Sequence, residues 1–393
     1  MMSSSPHSAN NTLNNLERNL IIMNEKDFHP LFPRATDEET VVENSVIARA
    51  MRLRGQQLPE FIESAAELET ISPASLKGII QAVRNLPAYE AIGKTAEEIQ
   101  DALWQIESTI VKRQLKQLEE IASAAPQLGS VTIRPEFVIP RDQTVIDIHR
   151  MPGGYWRQSN DHDIYPGALY DRGAYIYSGG RWGANSDLFG LLLTSFLSST
   201  FPQLHPESIL DVGCSVGHST LPYAAAYPNA DLFGIDVAAP LLRYAHARAA
   251  YKGASVRFIQ ADGTDTKFDG ERFDLIVSHI LFHELPVAKT RKFLQECYRL
   301  LKPGGVMAHI DLRPYRAVGE FPAMKPWEAF ASNLDTFHNN EPYWQAARSA
   351  NLRNLALTAG FSSDHTIETL VSANPRQATD PLRMLYVLSA VKQ

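Results

Sequence analysis

Apolar residues recur at helical spacing through the first third of the chain. Ile99, Leu103, Ile106 and Ile110 form one stripe, and the stripe continues until Pro126. Such spacing predicts an amphipathic helix that buries one face. That face can pack on the rest of the chain, cover a ligand site, or form the interface of a homodimer.

Helix start signals support this pattern. Thr95 with Glu98 predicts a capping box, and Ser72 followed by Pro73 predicts an earlier helix start before ASLKGIIQAV. We therefore expect a mostly α-helical N-terminal domain over residues 16–130.

A different pattern covers residues 131–186. The stretch MPGGYWRQSNDHDIYPGALYDRGAYIYSGGRW is rich in Gly and Tyr and has little amphipathic period. Long aperiodic segments inside compact proteins are often lids or binding loops. We expect this segment to connect the domains and to form a wall of the functional site.

Short apolar runs alternate with helical patterns in the region 187–393. The runs are SILDVG, DLFGID, SVRFIQAD, RFDLIVS and GGVMAHIDL. This alternation predicts an α/β fold with a doubly wound parallel sheet covered by helices on both faces. The final segments LALTAGF, DHTIETL and LRMLYVLSAVK indicate a helix and two strands that pair antiparallel.

Composition and charge narrow the class of protein. The 393 residues carry a net charge of −7, which leaves no electrostatic footprint for nucleic acid. Two cysteines cannot form a disulfide framework, and the polar residues 1–15 predict a disordered tail and not a signal peptide. No apolar run approaches the ~20 residues that span a membrane. We expect a cytoplasmic protein that binds neither membranes nor nucleic acid.

The stretch LDVGCSVGHST supports two incompatible interpretations. Gly213, Ser215 and Gly217 match G-x-S-x-G, which is typical of the nucleophile elbow of a serine hydrolase. A strand that ends at Asp211, followed by a Gly-rich turn and a helix, is also typical of a loop that cradles an anion or a nucleotide. The loop alone does not decide between them.

Acidic residues at the ends of the following strands favour the nucleotide-type loop. Asp236 ends LFGID and can accept both hydroxyls of a ribose. Asp262, in QADGTD, can accept a hydrogen bond from an exocyclic amine. Ligands of open α/β sheets bind outside the carboxyl ends of the strands, where these side chains lie. A hydrolase needs no acidic residues at the ends of successive strands, so a hydrolase is the least favoured interpretation.

In this order and spacing, LDVGCSVG, GID, ADGTD, FDLIVS and LLKPGG resemble the motifs of the class I (Rossmann-like) S-adenosylmethionine (SAM)-dependent methyltransferases. The resemblance implies a seven-stranded sheet with the last strand antiparallel, and SAM as the cofactor. It implies that the loop surrounds the methionine part of SAM, that the second strand end holds the ribose, and that the third holds the adenine. The implied cofactor-binding residues are Asp211, Gly213, Cys214, Ser215, Gly217, Asp236, Val237, Asp262, Gly263 and Ser278.

One loop residue departs from the family pattern. Ser215 stands where glycine is common, and serine is tolerable there if its φ angle is not forced to be positive. Cys214 is expected to be a small loop residue and not a nucleophile.

Titratable side chains follow the fourth strand, which lies beside the transferred methyl group in this family. The catalytic candidates are His283, His279 and Glu284, with His283 as a base or a group that orients the acceptor. His279 is more typical of a structural or cofactor-contacting role. The spacing of the two histidines would also suit a metal, but no further cluster supports one, so no metal ion is expected.

Substrate specificity is expected from an insertion at residues 313–350, which mixes aromatic and polar side chains. Such mixtures line pockets for organic ligands, and they equally suit a helical cap that packs on the sheet. The candidate substrate-binding residues, two of them in the Tyr-rich segment, are Tyr170, Tyr175, Arg313, His338 and Asn339.

The leading functional prediction is a methyltransferase that modifies oxygen, nitrogen or carbon of a small-molecule metabolite. An RNA or protein methyltransferase is the alternative, although the acidic charge and the absence of an N-P-P-Y-type motif after the fourth strand argue against it. A non-catalytic SAM-binding protein is the third possibility.

Overall fold

The computed structural model describes residues 28–68, 75–373 and 384–393. The predicted tail at residues 1–15 lies outside this part of the chain. An eight-stranded mixed sheet forms the centre, with strand order β1-β4-β3-β2-β5-β6-β8-β7. The strands are β1 (Ser130–Thr132), β2 (Ser208–Val212), β3 (Asp231–Asp236), β4 (Val256–Gln260), β5 (Phe273–His279), β6 (Leu301–Leu312), β7 (Thr366–Ser372) and β8 (Met384–Val391).

The predicted α/β architecture is confirmed. Strands β1 to β6 pair in parallel, and β8 runs antiparallel to both β6 and β7. The seven strands implied by the family resemblance are β2 to β8. Strand β1 adds an eighth at the edge by pairing with β4, from Ser130 beside Arg257 to Thr132 beside Ile259. A strand of three residues is too short to be read from alternating hydrophobicity.

The register of the central strands brings their carboxyl ends to one edge. Asp211 lies beside both Gly234 of β3 and Val277 of β5, and Asp236 lies beside Gln260 of β4. Strands β2, β3 and β5 are buried along most of their length, so they are largely apolar runs that end in polar residues. The edge where they end is therefore the polar edge of an apolar sheet.

The helical character of the N-terminal region is confirmed. Its helices are α1 (Asp37–Arg52), α2 (Leu58–Ala66), α3 (Leu76–Val83) and α4 (Pro87–Ser123), and a π-helical turn, Leu53–Gln57, joins α1 to α2. The remaining helices are α5 (Tyr165–Ser178), α6 (Leu188–Thr200), α7 (Leu221–Ala226), α8 (Ala239–Tyr251), α9 (Val287–Leu300), α10 (Pro326–Ala331), α11 (Leu334–His338), α12 (Trp344–Ser349) and α13 (Leu352–Ala359). No helix in the described residues is both long and apolar enough to cross a bilayer.

The capping box predicted at Thr95 is wrong. Helix α4 begins at Pro87 and passes through Thr95, whose hydroxyl donates to the carbonyl of Ala91 at 2.8 Å. The start predicted at Ser72 and Pro73 lies outside the described residues. Helix α3 instead has Ser75 as its N-cap, which accepts a hydrogen bond from the Gly78 amide at 3.1 Å.

The apolar stripe of α4 packs within the chain. Ile99, Leu103 and Ile110 are buried, and the first two share one core cluster with Leu169 of α5 and Leu241 of α8. The N-terminal helices therefore cover the sheet-bearing region directly. Dimerisation through the N-terminal region stays a prediction.

The segment 131–186 is not the aperiodic loop that its sequence indicates, because it contains α5. This helix is buried on nearly every side, so it shows no amphipathic period. A Cβ at Gly173 would lie 2.4 Å from the Trp104 ring, and one at Gly167 would lie 2.3 Å from Cβ of Tyr244. Glycine at these positions lets α5 fit tightly between α4 and α8.

One buried carboxylate joins segments that are distant in sequence. Asp171 of α5 lies 2.9 Å from Nε2 of His29 and 2.6 Å from Nε2 of His218, and it accepts a hydrogen bond from the Tyr244 hydroxyl at 2.7 Å. The guanidinium of Arg248 lies 3.7 Å away. The first described residues, the Gly-rich loop and α8 thus share a single acceptor.

Replacing Asp171 with alanine should lower the free energy of unfolding by about 3–5 kcal/mol, since it leaves buried Arg248 without its carboxylate. Chemical denaturation of the full chain measures the loss. The matched control is Asp161→Ala, which removes an exposed carboxylate nearby and should change stability by less than about 0.5 kcal/mol. Equal stability of the two variants would contradict the assignment.

Candidate functional site

The Gly-rich loop is tied to the neighbouring strand by backbone hydrogen bonds. The amides of Gly213 and Cys214 both donate to the carbonyl of Ile235, at 2.8 and 3.0 Å. The amide of Ser215 donates to Oδ2 of Asp236 at 3.0 Å. The loop and the acidic end of β3 are therefore one rigid unit.

Three loop residues adopt positive φ angles: 71° at Gly213, 50° at Ser215 and 78° at Gly217. Ser215 therefore does not meet the condition under which serine is free of strain, because its backbone is left-handed. A left-handed conformation costs an L-residue about 1–2 kcal/mol. At Gly213 a Cβ would also lie 2.8 Å from the Leu281 side chain, so only glycine fits.

Asp236 has the environment of a ligand-binding acid. Its Oδ1 accepts from the Ala238 amide at 2.9 Å and its Oδ2 from Ser215, and the carboxylate faces the crevice. Burial raises its pKa to about 6. Asp262 is fixed by Thr264, whose amide and hydroxyl both donate to Oδ1 at 2.8 Å.

His279 supports the loop from behind. Its Nε2 lies 2.9 Å from the Tyr223 hydroxyl, and its Nδ1 lies 3.3 Å from Oδ1 of Asp211. Asp211 also accepts a hydrogen bond from the Thr220 hydroxyl at 2.5 Å. Ser278 is buried against Nδ1 of His309 at 2.8 Å.

A cavity of about 2080 Å³ connects the loop with the N-terminal helices and the insertion. Most of the predicted site residues line it. They are Asp211, Gly213, Cys214, Ser215, Asp236, Val237, Asp262, Gly263, His279, His283, Glu284, Tyr170, Arg313, His338 and Asn339.

Three predicted residues do not line this cavity: Gly217, Ser278 and Tyr175. The Tyr175 ring instead packs against Phe28 and Phe32, with ring centroids 5.2 and 5.7 Å away. Helix α5 turns the neighbouring Tyr170 into the cavity.

His283 forms a dyad with an acid that the sequence analysis does not single out. Its Nδ1 lies 2.9 Å from Oδ1 of Asp311, the penultimate residue of β6, and the Trp344 ring packs edge-on at 5.1 Å. Burial opposes the charged imidazole, but Asp311 and the nearby glutamates outweigh it and raise the pKa of His283 to about 9.

His149, from the connecting segment, lies between two glutamates. Its Nε2 is 3.2 Å from Oε1 of Glu284, and its Nδ1 is 2.9 Å from Oε1 of Glu341. Burial alone would lower its pKa, but Glu341 and Glu284 raise it well above the usual range. Burial alone would raise the pKa of Glu284, but the hydrogen bond with His149 outweighs it, so the pKa of Glu284 is lowered.

Helix α4 holds His149 in place. The His149 carbonyl accepts from Nε1 of Trp104 at 2.6 Å and from the Gln100 amide at 3.2 Å, and its φ angle is 54°. No local pattern marks His149 in the sequence. His149 precedes the Gly- and Tyr-rich stretch, which begins at Met151, so composition does not mark it either.

The other substrate candidates have structural partners. Arg313 donates to the Pro322 carbonyl at 2.6 Å, and Asn339 donates to Glu341 at 2.8 Å. Nδ1 of His338 lies 3.0 Å from Glu97 of α4. These contacts fasten the insertion to the N-terminal helices and to the cluster around His149.

Ser215→Gly should raise the free energy of unfolding by about 1 kcal/mol, because glycine adopts the positive φ angle without strain. Gly213→Ala should destabilise the protein, since it adds both strain and the contact with Leu281. Paired denaturation curves test this. A destabilised Ser215→Gly variant would show that the serine side chain compensates for its backbone.

Residues 209–305 match a family model described as a methyltransferase domain. Demethylmenaquinone methyltransferase from Thermus thermophilus is 34% identical over 28% of this chain and 49% of its own length. Ribosomal RNA small subunit methyltransferase C from Hahella chejuensis is 31% identical over 31% of this chain and 36% of its own length. The chain thus spans half or less of these relatives.

A solved phosphoethanolamine N-methyltransferase 2 from Haemonchus contortus, in complex with S-adenosyl-L-methionine, is 17% identical to this chain. The match covers 56% of this chain and 57% of that one, with a TM-score of 0.40.

The loop geometry and the acidic strand ends agree with the family match. Gly213 forms a cradle that a Cβ would fill, and Asp236 offers acceptor oxygens at the crevice. These residues fit an adenosyl cofactor, and the last strand of the sheet, β8, is antiparallel as the resemblance implies. Residues 209–305 are therefore similar to a methyltransferase domain, and their loop and acidic strand ends have the features of the class I type, for which S-adenosylmethionine is the cofactor.

Proposed function

We propose that the whole protein is an enzyme that transfers a methyl group from SAM to a small molecule. The observation that carries this proposal is the cavity, which the N-terminal helices and the insertion cover. Inside it, the Gly-rich loop faces a cluster of polar side chains. Bound SAM supplies a methyl group on a positively charged sulfur.

The N-terminal helices and the insertion cover the cavity, and this cover favours a small acceptor over a macromolecule. Arg54, in the π-helical turn, donates to Asp335 of α11 at 2.6 Å, which joins the N-terminal helices to the insertion above the cavity. Lys289 of α9 pairs with Asp142 of the connecting segment at 2.6 Å and lies 3.8 Å from Asp262. Pairs of this kind at the rim enclose the ligand on several sides.

The proposed cofactor contacts follow the strand ends. The loop from Asp211 to Ser215 takes the methionine part of SAM, Asp236 accepts from the ribose hydroxyls, and Asp262 faces the adenine. Tyr170 stacks on His218 with ring centroids 5.9 Å apart, which closes the cofactor side of the cavity.

The proposed acceptor side contains His283 and Glu284. His283 is oriented by Asp311, and its Nε2 lies 3.9 Å from Glu284, where the imidazole can hold a proton or orient the acceptor. Positioning of reacting groups can contribute about 7–11 kcal/mol, and a base typically adds ~10²–10⁴-fold. His279 contacts Asp211 and is therefore a positioning residue for the loop.

Full-length protein incubated with SAM and a panel of metabolite acceptors should release S-adenosylhomocysteine, detected by mass spectrometry. His283→Ala should lower the turnover by about 10²–10⁴-fold while SAM affinity stays within a few fold. Product formed with RNA or protein acceptors alone would favour the macromolecular alternative. SAM binding without product from any acceptor class would favour the non-catalytic one.

Asp236→Ala should weaken SAM binding by about 10- to 100-fold in calorimetry, because it removes hydrogen bonds to a charged acceptor. The matched control is Asp231→Ala at the opposite end of β3, where the carboxylate is exposed and pairs with Arg257 at 3.1 Å. That variant should bind SAM as the native protein does. Equal affinities for both variants would remove Asp236 from the site.

The same measurement at several pH values gives a second readout. The pKa of Asp236 is raised to about 6, so the carboxylate is ionised above that pH and loses one acceptor oxygen below it. SAM affinity should therefore fall as the pH drops through about 6. The Asp236→Ala variant should lack this dependence.

A further inference from the structure

Three donor groups from two distant segments converge on the acceptor side of the cavity. His149, His283 and Glu284 each offer one ligand atom, and these atoms lie within 4.8 Å of one another. Oε1 of Glu284 lies 3.2 Å from Nε2 of His149 and 3.9 Å from Nε2 of His283. Two imidazoles and one carboxylate form a donor set typical of first-row transition metals.

The separations suit a shared ion. Bonds of about 2.0–2.2 Å to nitrogen and oxygen place neighbouring donors about 3–3.5 Å apart. The distance from Glu284 to His149 already lies in this range, and that to His283 exceeds it by a few tenths of an ångström. The ligand atoms of the two imidazoles lie within 4.8 Å of each other, so binding a shared ion requires the rings to move closer together.

A second observation is independent of these distances. Each imidazole has its other nitrogen against a separate carboxylate: Nδ1 of His149 against Glu341, and Nδ1 of His283 against Asp311, both at 2.9 Å. Metal-binding histidines commonly donate their second ring N–H to a carboxylate, which orients the ring and strengthens the ligand. Here the arrangement occurs twice. It leaves Nε2 of His149 3.2 Å from Glu284, and Nε2 of His283 3.9 Å from both Glu284 and Glu341.

Two features next to the three donor groups, a buried carboxylate and a strained backbone, lower the stability of the fold. Glu341 is 1% exposed, and its Oε2 has no hydrogen-bond partner within the described residues. His149 adopts a left-handed backbone, and helix α4 fixes its carbonyl through Trp104. Buried carboxylates and strained backbones concentrate at functional sites.

We propose that His149, His283 and Glu284 bind a divalent first-row transition-metal ion, with Glu341 and Asp311 orienting the two imidazoles. Three protein ligands leave coordination positions open, as in catalytic sites and unlike closed structural ones. The open positions face the cavity that the SAM loop also lines. An oxygen or nitrogen atom of the acceptor is the group that fits there. With the ion bound, Nε2 of His283 is a ligand and no longer holds a proton, so the imidazole orients the acceptor through the ion.

This site differs from the histidine pair weighed in the sequence analysis. His279 contacts Tyr223 and Asp211 and has no place in the cluster. His149 lies 134 positions before His283 (283 − 149), so no sequence spacing joins them.

Full-length protein treated with a chelator and dialysed should bind Co²⁺ at one site in calorimetry and give the visible d–d absorption of a nitrogen- and oxygen-ligated ion. Zn²⁺ should displace the Co²⁺ and remove the absorption. His149→Ala and His283→Ala should each weaken Co²⁺ binding at least tenfold. Glu341→Gln, which alters only an orienting group, should weaken it by about 10- to 100-fold.

The control variant is His338→Gln, which changes a histidine that lines the same cavity but contacts Glu97 and Tyr89 instead. It should bind Co²⁺ as the native protein does. Circular dichroism confirms that each variant is folded. Absence of Co²⁺ and Zn²⁺ binding to the native protein, or affinities unchanged by the His149 and His283 substitutions, would overturn the proposal and leave the cluster as a hydrogen-bonded network.

The metal titration is independent of the proposed function because it is performed without SAM. A protein that binds Co²⁺ but not SAM would refute the proposed function alone. A protein that binds SAM through Asp236 but no metal would refute the metal site alone.

Discussion

The carboxylate of Asp171 is the contact on which the rest of the arrangement depends. It holds His218 at the end of the Gly-rich loop, Tyr244 on α8, and His29 among the first described residues. A buried acid with several donors is stable only while all of them are in place. The loop that faces the cofactor and the helices that cover it are thus held by the same buried group.

Much of the sheet could be predicted from the sequence, because most buried strands are apolar runs that end in a polar residue at one shared edge. Asp236 and Asp262 could be placed for that reason. Helix α5 could not, because burial on all sides removes the amphipathic period on which helix prediction relies. The cluster at His149 was also inaccessible, since it joins a connecting segment to the end of β5 and to an insertion.

Two residues with strained backbones lie where the ligands are proposed to bind. Ser215 and His149 both have positive φ angles, of 50° and 54°, and both are fixed by hydrogen bonds from neighbouring elements. Such conformations persist only when the surrounding structure enforces them. The enforcement comes from β3 for Ser215 and from α4 for His149, so the sheet and the N-terminal helices each shape one side of the cavity.

The hydrogen bond from Trp104 to the His149 carbonyl shows that the N-terminal helices help to form the side of the cavity opposite the loop. The region that matches the family model ends at residue 305, whereas the walls opposite the loop come from α1, α4, the connecting segment and the insertion. The walls proposed to contact the acceptor are therefore not a separate unit that recombination could move into another methyltransferase domain. A change in the proposed acceptor is expected to require correlated substitutions in the N-terminal helices and in the sheet-bearing region.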